Sequence, residues 1–258
     1  MDRLPISVCL ISGPEASRIG RALESVSGWT SEIVVVLNEE VQDGTEEIAS
    51  KFGAKVFREP WKGFRDQKNS AAQKARQEWV LNLDADEAVS PELREEIRRT
   101  LGGVGNTGQF AAFSFPRLSW YCGRWIRHGD WYPDRVVRLW RKASAAWGGE
   151  GIHERLEVSG AIGRLRSNLL HYSNQSINGQ LDKIASYSDP FVSACLAKGR
   201  TASWLDLAVR PAWKFVRAYF LRLGFLDGWP GYYIAWVGAF STVTRYAKVR
   251  EAGRKPQP

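Results

Sequence analysis

Ile33-Val34-Val35-Val36-Leu37 is an unbroken apolar run in which four of the five residues are β-branched. A strand that is apolar at every position needs cover on both faces, and such strands belong to parallel sheets flanked by helices. The neighbouring sequence agrees with that requirement. Ile6–Ile11 reads as a buried strand broken at Gly13-Pro14, and Ala16–Val26 follows with Ile19, Leu23 and Val26 on one helical face. Asp43 is placed to cap a second helix, with Glu46 at the capping-box position. Ala54–Phe57 reads as a third strand, residues 64–77 as a polar helix, and Trp79–Leu83 as a fourth strand. Ser90 and Pro91 then open a helix that ends at Gly102-Gly103. This β-α-β-α-β-α-β order predicts a Rossmann-like, doubly wound and mostly parallel α/β sheet with right-handed crossovers.

The fourth strand runs into Asp84-Ala85-Asp86-Glu87. Open α/β sheets place their ligands beyond the carboxyl ends of the strands. If strand alternation continues, Asp84 and Asp86 point the same way. Two carboxylates so close repel unless a cation stands beside them. Oxygen ligands of this kind suit Mg²⁺ or Mn²⁺ with room left for substrate phosphates. A solvated acidic turn is the competing interpretation. No Gly-x-Gly-x-x-Gly follows the first strand and no Walker lysine is present, so a nucleotide would have to be held by side chains and metal.

The second half differs in character. Of the twelve tryptophans all but Trp29, Trp61 and Trp79 lie after residue 119, and residues 117–135 are dense in aromatics and arginine. Phe110–Pro116 and Val136–Trp140 read as strands, and Gly148–Gly151 leads into Ile152-His153-Glu154. Aromatic, charged loops hung from a sheet usually carry binding work. From residue 180 the pattern is helical, with Pro190 implying a kink or two helices. Pro211–Leu226 is expected as one amphipathic helix, with Arg210, Lys214, Arg217 and Arg222 in a single arc and aromatics over the rest. That is the pattern of a helix on a membrane surface, and a helix packed on the domain with a basic outer face is the alternative. The expected divisions are 1–178, a helical region at 179–250 and a tail at 251–258.

A net charge of +8 favours anionic partners, an anionic membrane surface among them. No nucleic-acid reader motif is recognisable. No segment reaches the roughly 18 apolar residues of a transmembrane helix. Ile6–Ile11 is too short for a signal-peptide core. Cys9, Cys122 and Cys195 form no metal-spaced pair, which suits a reduced, cytoplasmic setting. Peripheral attachment to the inner face of the cytoplasmic membrane goes with the helical region.

Ile6–Ser12, Asp43-Gly44-Thr45, Trp61-Lys62-Gly63-Phe64 with Gln67-Lys68-Asn69, and Asn82–Glu87, in that order, resemble the family 2 glycosyltransferases. The branch most resembled is that of the lipopolysaccharide-core β-1,4-glucosyltransferase-like proteins, which Trp131-Tyr132-Pro133-Asp134 and His153-Glu154 also match. The resemblance covers residues 5–190. It implies a GT-A fold over 1–178, with a nucleotide-sugar half at 1–102, an acceptor half at 103–178 and a C-terminal helical segment after it. It further implies a nucleotide-sugar donor, a UDP-sugar foremost, with Mg²⁺ or Mn²⁺ on the Asp-x-Asp motif and inversion at the anomeric carbon. Asp84 would then contact ribose or metal, Asp86 would ligate the metal, Lys68 would lie near the nucleotide, and His171 would be a third ligand. Two departures stand out: Pro14-Glu15-Ala16 replaces the usual Asn-Glu-Glu, and Asn38 replaces the aspartate that grips the nucleoside, where it would still bind the nucleotide sugar by a hydrogen bond to base or ribose.

An inverting transfer needs a base facing the acceptor. Glu154 is preferred, Asp134 is the second candidate and Glu150 the third. The acceptor expected is a saccharide or a lipid-linked saccharide of cell-envelope glycan synthesis, as in lipopolysaccharide core. Two rivals stand beside this reading. A haloacid-dehalogenase-type phosphatase would carry its Asp-x-Asp on the first strand. A non-catalytic glycosyltransferase-like scaffold would have lost donor affinity through Pro14 and Asn38.

Overall fold

The computed structural model describes residues 3–103, 107–149, 154–173 and 176–253. They divide into two compact units, Met1–Arg117 with Asp134–Tyr172, and Leu118–Pro133 with Ser173–Pro258. The segment 118–133, expected in the acceptor half, thus groups with the C-terminal helices.

The first unit runs β1 (Leu4–Ser12), α1 (Ile19–Val26), β2 (Thr30–Asn38), α2 (Thr45–Lys51), β3 (Lys55–Glu59), α3 (Phe64–Lys74), β4 (Trp79–Asn82), β5 (Glu87–Val89) and α4 (Pro91–Gly102). Strand β6 (Phe110–Tyr121) follows, and its far end pairs with β7 (Arg124–Ile126) in the second unit. The first unit then continues with β8 (Asp134–Arg141), β9 (Ala145–Gly148), β10 (Arg155–Val158), β11 (Ala161–Arg164) and β12 (Leu169–His171). The main sheet has the order β3-β2-β1-β4-β8-β6-β12-β5. Strands β3, β2, β1 and β4 are parallel neighbours, whereas β8 runs antiparallel to β4 and β6, and β12 antiparallel to β5.

Strand alternation explains the double winding. Ile6, Val8 and Leu10 of β1, Ile33 and Val35 of β2, and Trp79 and Leu81 of β4 point to one face, where Leu23 and Val26 of α1 and Leu93 and Ile97 of α4 cover them. Cys9, Val34, Val36 and Val80 point to the other, against Ala71 of α3, Ala75, Trp140 and Trp147. The all-apolar run in β2 is therefore buried from both sides. Cys9 and Cys195 are buried and Cys122 is partly exposed, all three unpaired.

One cap differs from expectation. Gly44, at φ 90°, is the N-cap of α2, and no capping box forms. Asp43 instead accepts from the amides of Ala16 and Thr45 at 3.0 and 3.1 Å, and Glu46 pairs with Arg58. Helix α1 accordingly starts at Ile19 rather than Ala16, because the backbone at residues 15 and 16 is held by Thr45 and Asp43.

The second unit contains α5 (Ile177–Ala197), α6 (Trp204–Val216) and α7 (Gly228–Ala252). Helix α5 passes through Pro190 without dividing. The single helix expected over 211–226 is not present. Helix α6 begins at a capping box of Ser203 and Asp206, widens into a π-turn at Arg217–Leu221, and stops at Leu223 in the left-handed conformation. The expected basic arc is tied to carboxylates. Lys214, Arg217 and Arg222 converge on Asp130, and Arg210 pairs with Asp206. Among the described residues no helix is long and apolar enough to cross a membrane.

Candidate active site

β1 and β4 are parallel neighbours, so their carboxyl ends open on the same edge of the sheet. A cavity of about 230 Å³ lies there, lined by Ile11, Ser12, Gly13, Glu15, Trp61, Phe64, Lys68, Asp84, Ala85, Asp86 and Glu154. Trp61 and Phe64 are nearly half exposed and meet edge to face, 4.9 Å between ring centroids. They form an aromatic rim of the kind that suits a planar or sugar ring.

The three acidic residues after β4 take separate roles because the chain turns rather than continuing as a strand. The amide of Glu87 donates to the Asp84 carbonyl, closing a turn over Ala85 and Asp86. Glu87 points inward. Its side chain is fully buried, accepts from the Asp84 amide, and takes Arg138 at 3.3 Å and Arg117 at 3.2 Å. Asp84 accepts from Arg138 at 2.5 Å and lies 3.9 Å from Lys68 Nζ. Burial alone would raise the Asp84 carboxyl, but the charges of Arg138 and Lys68 outweigh it and hold the group at about 2. Burial would lower the Arg138 guanidinium, and Asp84 with Glu87 raise it instead. The cation that two close carboxylates require is thus supplied for Asp84 by the protein itself.

Asp86 goes elsewhere. Its Oδ2 lies 3.5 Å from His171 Nε2, an approach set by the pairing of β12 with β5, in which His171 stands opposite Glu87. The Tyr172 amide donates to the Asp86 carbonyl at 2.8 Å and holds the turn against β12.

Lys68 sits on α3, 6% exposed at its side chain, between the two sides of the cavity. Its Nζ donates to Glu154 at 3.0 Å and rests over the Trp147 ring at 4.5 Å. Glu154, Lys68, Asp84 and Asp86 therefore share one cavity. Asp134 and Asn38 are not among its lining residues. Asp134 is bound by Arg117 at 2.7 Å and is 42% exposed. Asn38 ends β2, and its side-chain oxygen faces the Glu40 amide at 3.4 Å. Glu150 and His153 lie outside the described residues.

The pairing of Arg138 and Arg117 with Asp84 and Glu87 has no counterpart in the sequence-based expectations. A signal existed for Arg138. A cation inside the apolar strand Val136–Trp140 has to be buried, and a buried arginine needs an acid.

Residues 7–128 match the profile of Glycosyl transferase family 2. An uncharacterized glycosyltransferase of Rickettsia typhi is 32% identical over an alignment 259 residues long that covers 97% of this chain and 88% of that protein. The chain belongs to the family 2 glycosyltransferases. This glycosyltransferase is also similar to the lipopolysaccharide core biosynthesis glycosyltransferase LpsC of Rhizobium meliloti, 26% identical over 96% of this chain and 93% of LpsC. Two solved structures share its fold. S. aureus TarS 1–349 in complex with UDP-GlcNAc has a TM-score of 0.53 at 14% identity, covering 96% of this chain and 91% of that one. The mannosyltransferase PcManGT from Pyrobaculum calidifontis, in complex with GDP-Man and Mn²⁺, has a TM-score of 0.53 at 11% identity, covering 98% and 89%. The expected GT-A fold is the one present.

Proposed function

We propose that this family 2 glycosyltransferase is inverting and metal-dependent, and that it moves a sugar from a nucleotide-sugar donor to a saccharide or lipid-linked acceptor in cell-envelope glycan synthesis of the lipopolysaccharide-core type. The observation that carries the reading is the gathering of Asp84, Asp86, Lys68 and Glu154 on one cavity at the carboxyl ends of β1 and β4. The nucleotide sugars bound by TarS and PcManGT support the donor class, and similarity to LpsC supports the pathway.

The residues present suit a divalent cation. Asp86, on the turn after β4, and His171, at the end of β12, face each other and remain partly exposed. Among the described residues no group of three or more such side chains forms a closed cage. A carboxylate with most of the shell left to phosphate oxygens and water is how Mg²⁺ is commonly held at substrate phosphates, and the His171 imidazole would add one nitrogen ligand. Mn²⁺ accepts the same hard oxygen ligands. We assign Asp86 and His171 as the ligands, with Asp84 behind them. When bound, the ion offsets negative charge growing on the leaving diphosphate.

The protein's own groups do the rest. Arg138 fixes Asp84, and the backbone bonds from Glu87 to Asp84 and from Tyr172 to Asp86 hold the turn that carries Asp86. Glu154 accepts the proton of the acceptor hydroxyl as its oxygen attacks the anomeric carbon and the bond to the diphosphate breaks on the opposite side. Lys68 holds Glu154 in place before the acceptor arrives. An acceptor carried on lipid would be presented at an anionic membrane surface, which the net positive charge of the chain favours.

Titration with UDP-, GDP- and CDP-sugars in the presence of Mn²⁺ tests the reading. Saturable, metal-dependent binding of at least one class is expected. Binding of none overturns it.

A further inference from the structure

The exposed residues of the second unit form a pattern that the catalytic reading does not use. Along α6 and its terminal π-turn, Leu205, Val209, Trp213, Val216 and Phe220 recur every three or four residues, and all are exposed, between 39 and 69%. Along α7, Trp229, Tyr232, Trp236 and Phe240 do the same, between 47 and 58% exposed. At these spacings each set lies on one face of its helix. The two faces are continuous. Phe215 of α6 meets Trp236 and Tyr232 of α7 at ring-centroid distances of 4.9 and 6.0 Å, and Tyr219 meets Tyr232 at 5.5 Å. Isolated exposed apolar side chains are ordinary, but a contiguous sheet of them marks a surface meant to be covered.

Two features of the patch choose its occupant. Tryptophan and tyrosine, with an apolar body and a polar handle, favour the boundary between lipid and water. The flank of the α6 stripe is cationic: Arg210, Lys214, Arg217 and Arg222 are each between a third and three-fifths exposed at the side chain, and within this cluster they share two carboxylates, Asp206 and Asp130. The cluster keeps positive charge in excess, on long stems that can follow an apolar surface to a headgroup. We infer that the joined faces of α6 and α7 dock in the interface of an anionic lipid bilayer, aromatics at the acyl boundary and the flanking cations at the headgroup phosphates. This deepens the reading of a membrane-presented acceptor and rests on it. It differs from the amphipathic helix expected in the sequence, because the apolar surface comes from two helices and the cations are organised by Asp130 and Asp206.

The test is flotation of the full chain with vesicles of phosphatidylcholine alone and of equal parts phosphatidylcholine and phosphatidylglycerol. Trp213→Ser with Trp236→Ser removes more than half-exposed side chains, so the fold should persist, as far-UV circular dichroism and unchanged nucleotide-sugar binding would verify. The wild type is expected to favour the anionic vesicles and to release with added salt. The double variant is expected to partition about tenfold more weakly. Equal partition of wild type and double variant would remove the assignment of this face while leaving membrane binding itself intact. Equal partition of the wild type into both vesicle types would overturn the anionic-lipid claim. No flotation of the wild type would overturn both the face and the membrane-presented acceptor, whereas donor binding is measured separately. A wild-type dimer by light scattering that the double variant abolishes, without flotation, would make the face a contact between copies and sink the proposal.

Discussion

Asp86 Oδ2 and His171 Nε2 stand 3.5 Å apart, one on the turn after β4 and the other at the end of β12. Asp86 is held by a turn tied to β12 and His171 by the pairing of β12 with β5, and on the proposed reading the two present donors to a divalent ion. Replacing Asp86 by alanine should weaken Mn²⁺-dependent nucleotide binding by at least about 100-fold, and His171→Ala by at least about 10-fold, since loss of a group that merely supports a metal ligand already costs about 10–100-fold. Calorimetric titration of Mn²⁺ in the presence of UDP reads both values. An unchanged Mn²⁺ affinity in His171→Ala would strike that residue from the ligand set.

Arg138 is the structural counterpart of that pair. It is 7% exposed and pairs with both Asp84 and Glu87. Removing Arg138 leaves Glu87 with Arg117 and Asp84 with Lys68 alone, so the loss falls at the lower end of the range for breaking a buried ion pair, about 3 kcal/mol. Arg138→Met is therefore expected to lower unfolding stability by that amount in urea titrations, with loss of activity to match.

The same cluster sets a pH dependence. The Asp84 carboxyl lies at about 2 in the folded chain against an ordinary 3.8. A depressed folded value contributes stability that is fully present above the unfolded pKa and is lost as pH falls through the folded one. The contribution is about 2 kcal/mol. Asp84→Asn should flatten the acid limb of stability between about pH 4 and about pH 2 relative to wild type. Urea midpoints measured across that window decide it, and an acid limb of unchanged slope would place the titration on other carboxylates.

How much of this was legible in the sequence depends on range. Strands β1, β2 and β4 were readable because their runs of apolar residues have to be covered on two faces, and the acid turn was readable because it follows the last of them. The division of labour among Asp84, Asp86 and Glu87 was not, because a turn cancels strand alternation and because their partners arrive from β8, β6 and β12. The end of α6 was equally hidden. Leucine in the left-handed conformation, as at Leu223, is disfavoured locally and is tolerated only through its surroundings. The Asp43 cap failed for a related reason: Gly44 at positive φ turns the chain, and the carboxylate reaches back to residue 16 instead.

That reach has a consequence for the cavity. Thr45 is fully buried; its hydroxyl accepts from the Glu15 amide at 3.0 Å and donates to Asp43. Gly13 and Glu15 line the cavity, so the clasp fixes one wall. Thr45→Val should cost about 1–2 kcal/mol, since it leaves a part-buried amide without its acceptor. It should also speed hydrogen exchange at the amides of residues 15 and 16 and weaken donor binding severalfold. Exchange rates equal to wild type at those two amides would show that the wall is held by something else.

Glu154 and Asp134 were both candidates for the base, and their surroundings separate them. Glu154 lines the cavity and is held 3.0 Å from a buried ammonium, whereas Asp134 is spent on Arg117 and is 42% exposed. Loss of a general base typically costs about 10²–10⁴-fold in rate. Glu154→Gln should therefore lower kcat by that range with donor Kd unchanged. Asp134→Asn should lower kcat by less than about 10-fold, since a residue held away from the cavity removes no proton-transfer step. Lys68→Met is expected to affect both parameters, because its Nζ faces Glu154 at 3.0 Å and Asp84 at 3.9 Å. Steady-state transfer kinetics with donor affinity measured in parallel separate the three. A large kcat loss in Asp134→Asn with little change in Glu154→Gln would exchange the two assignments and leave Glu154 as a clamp for Lys68.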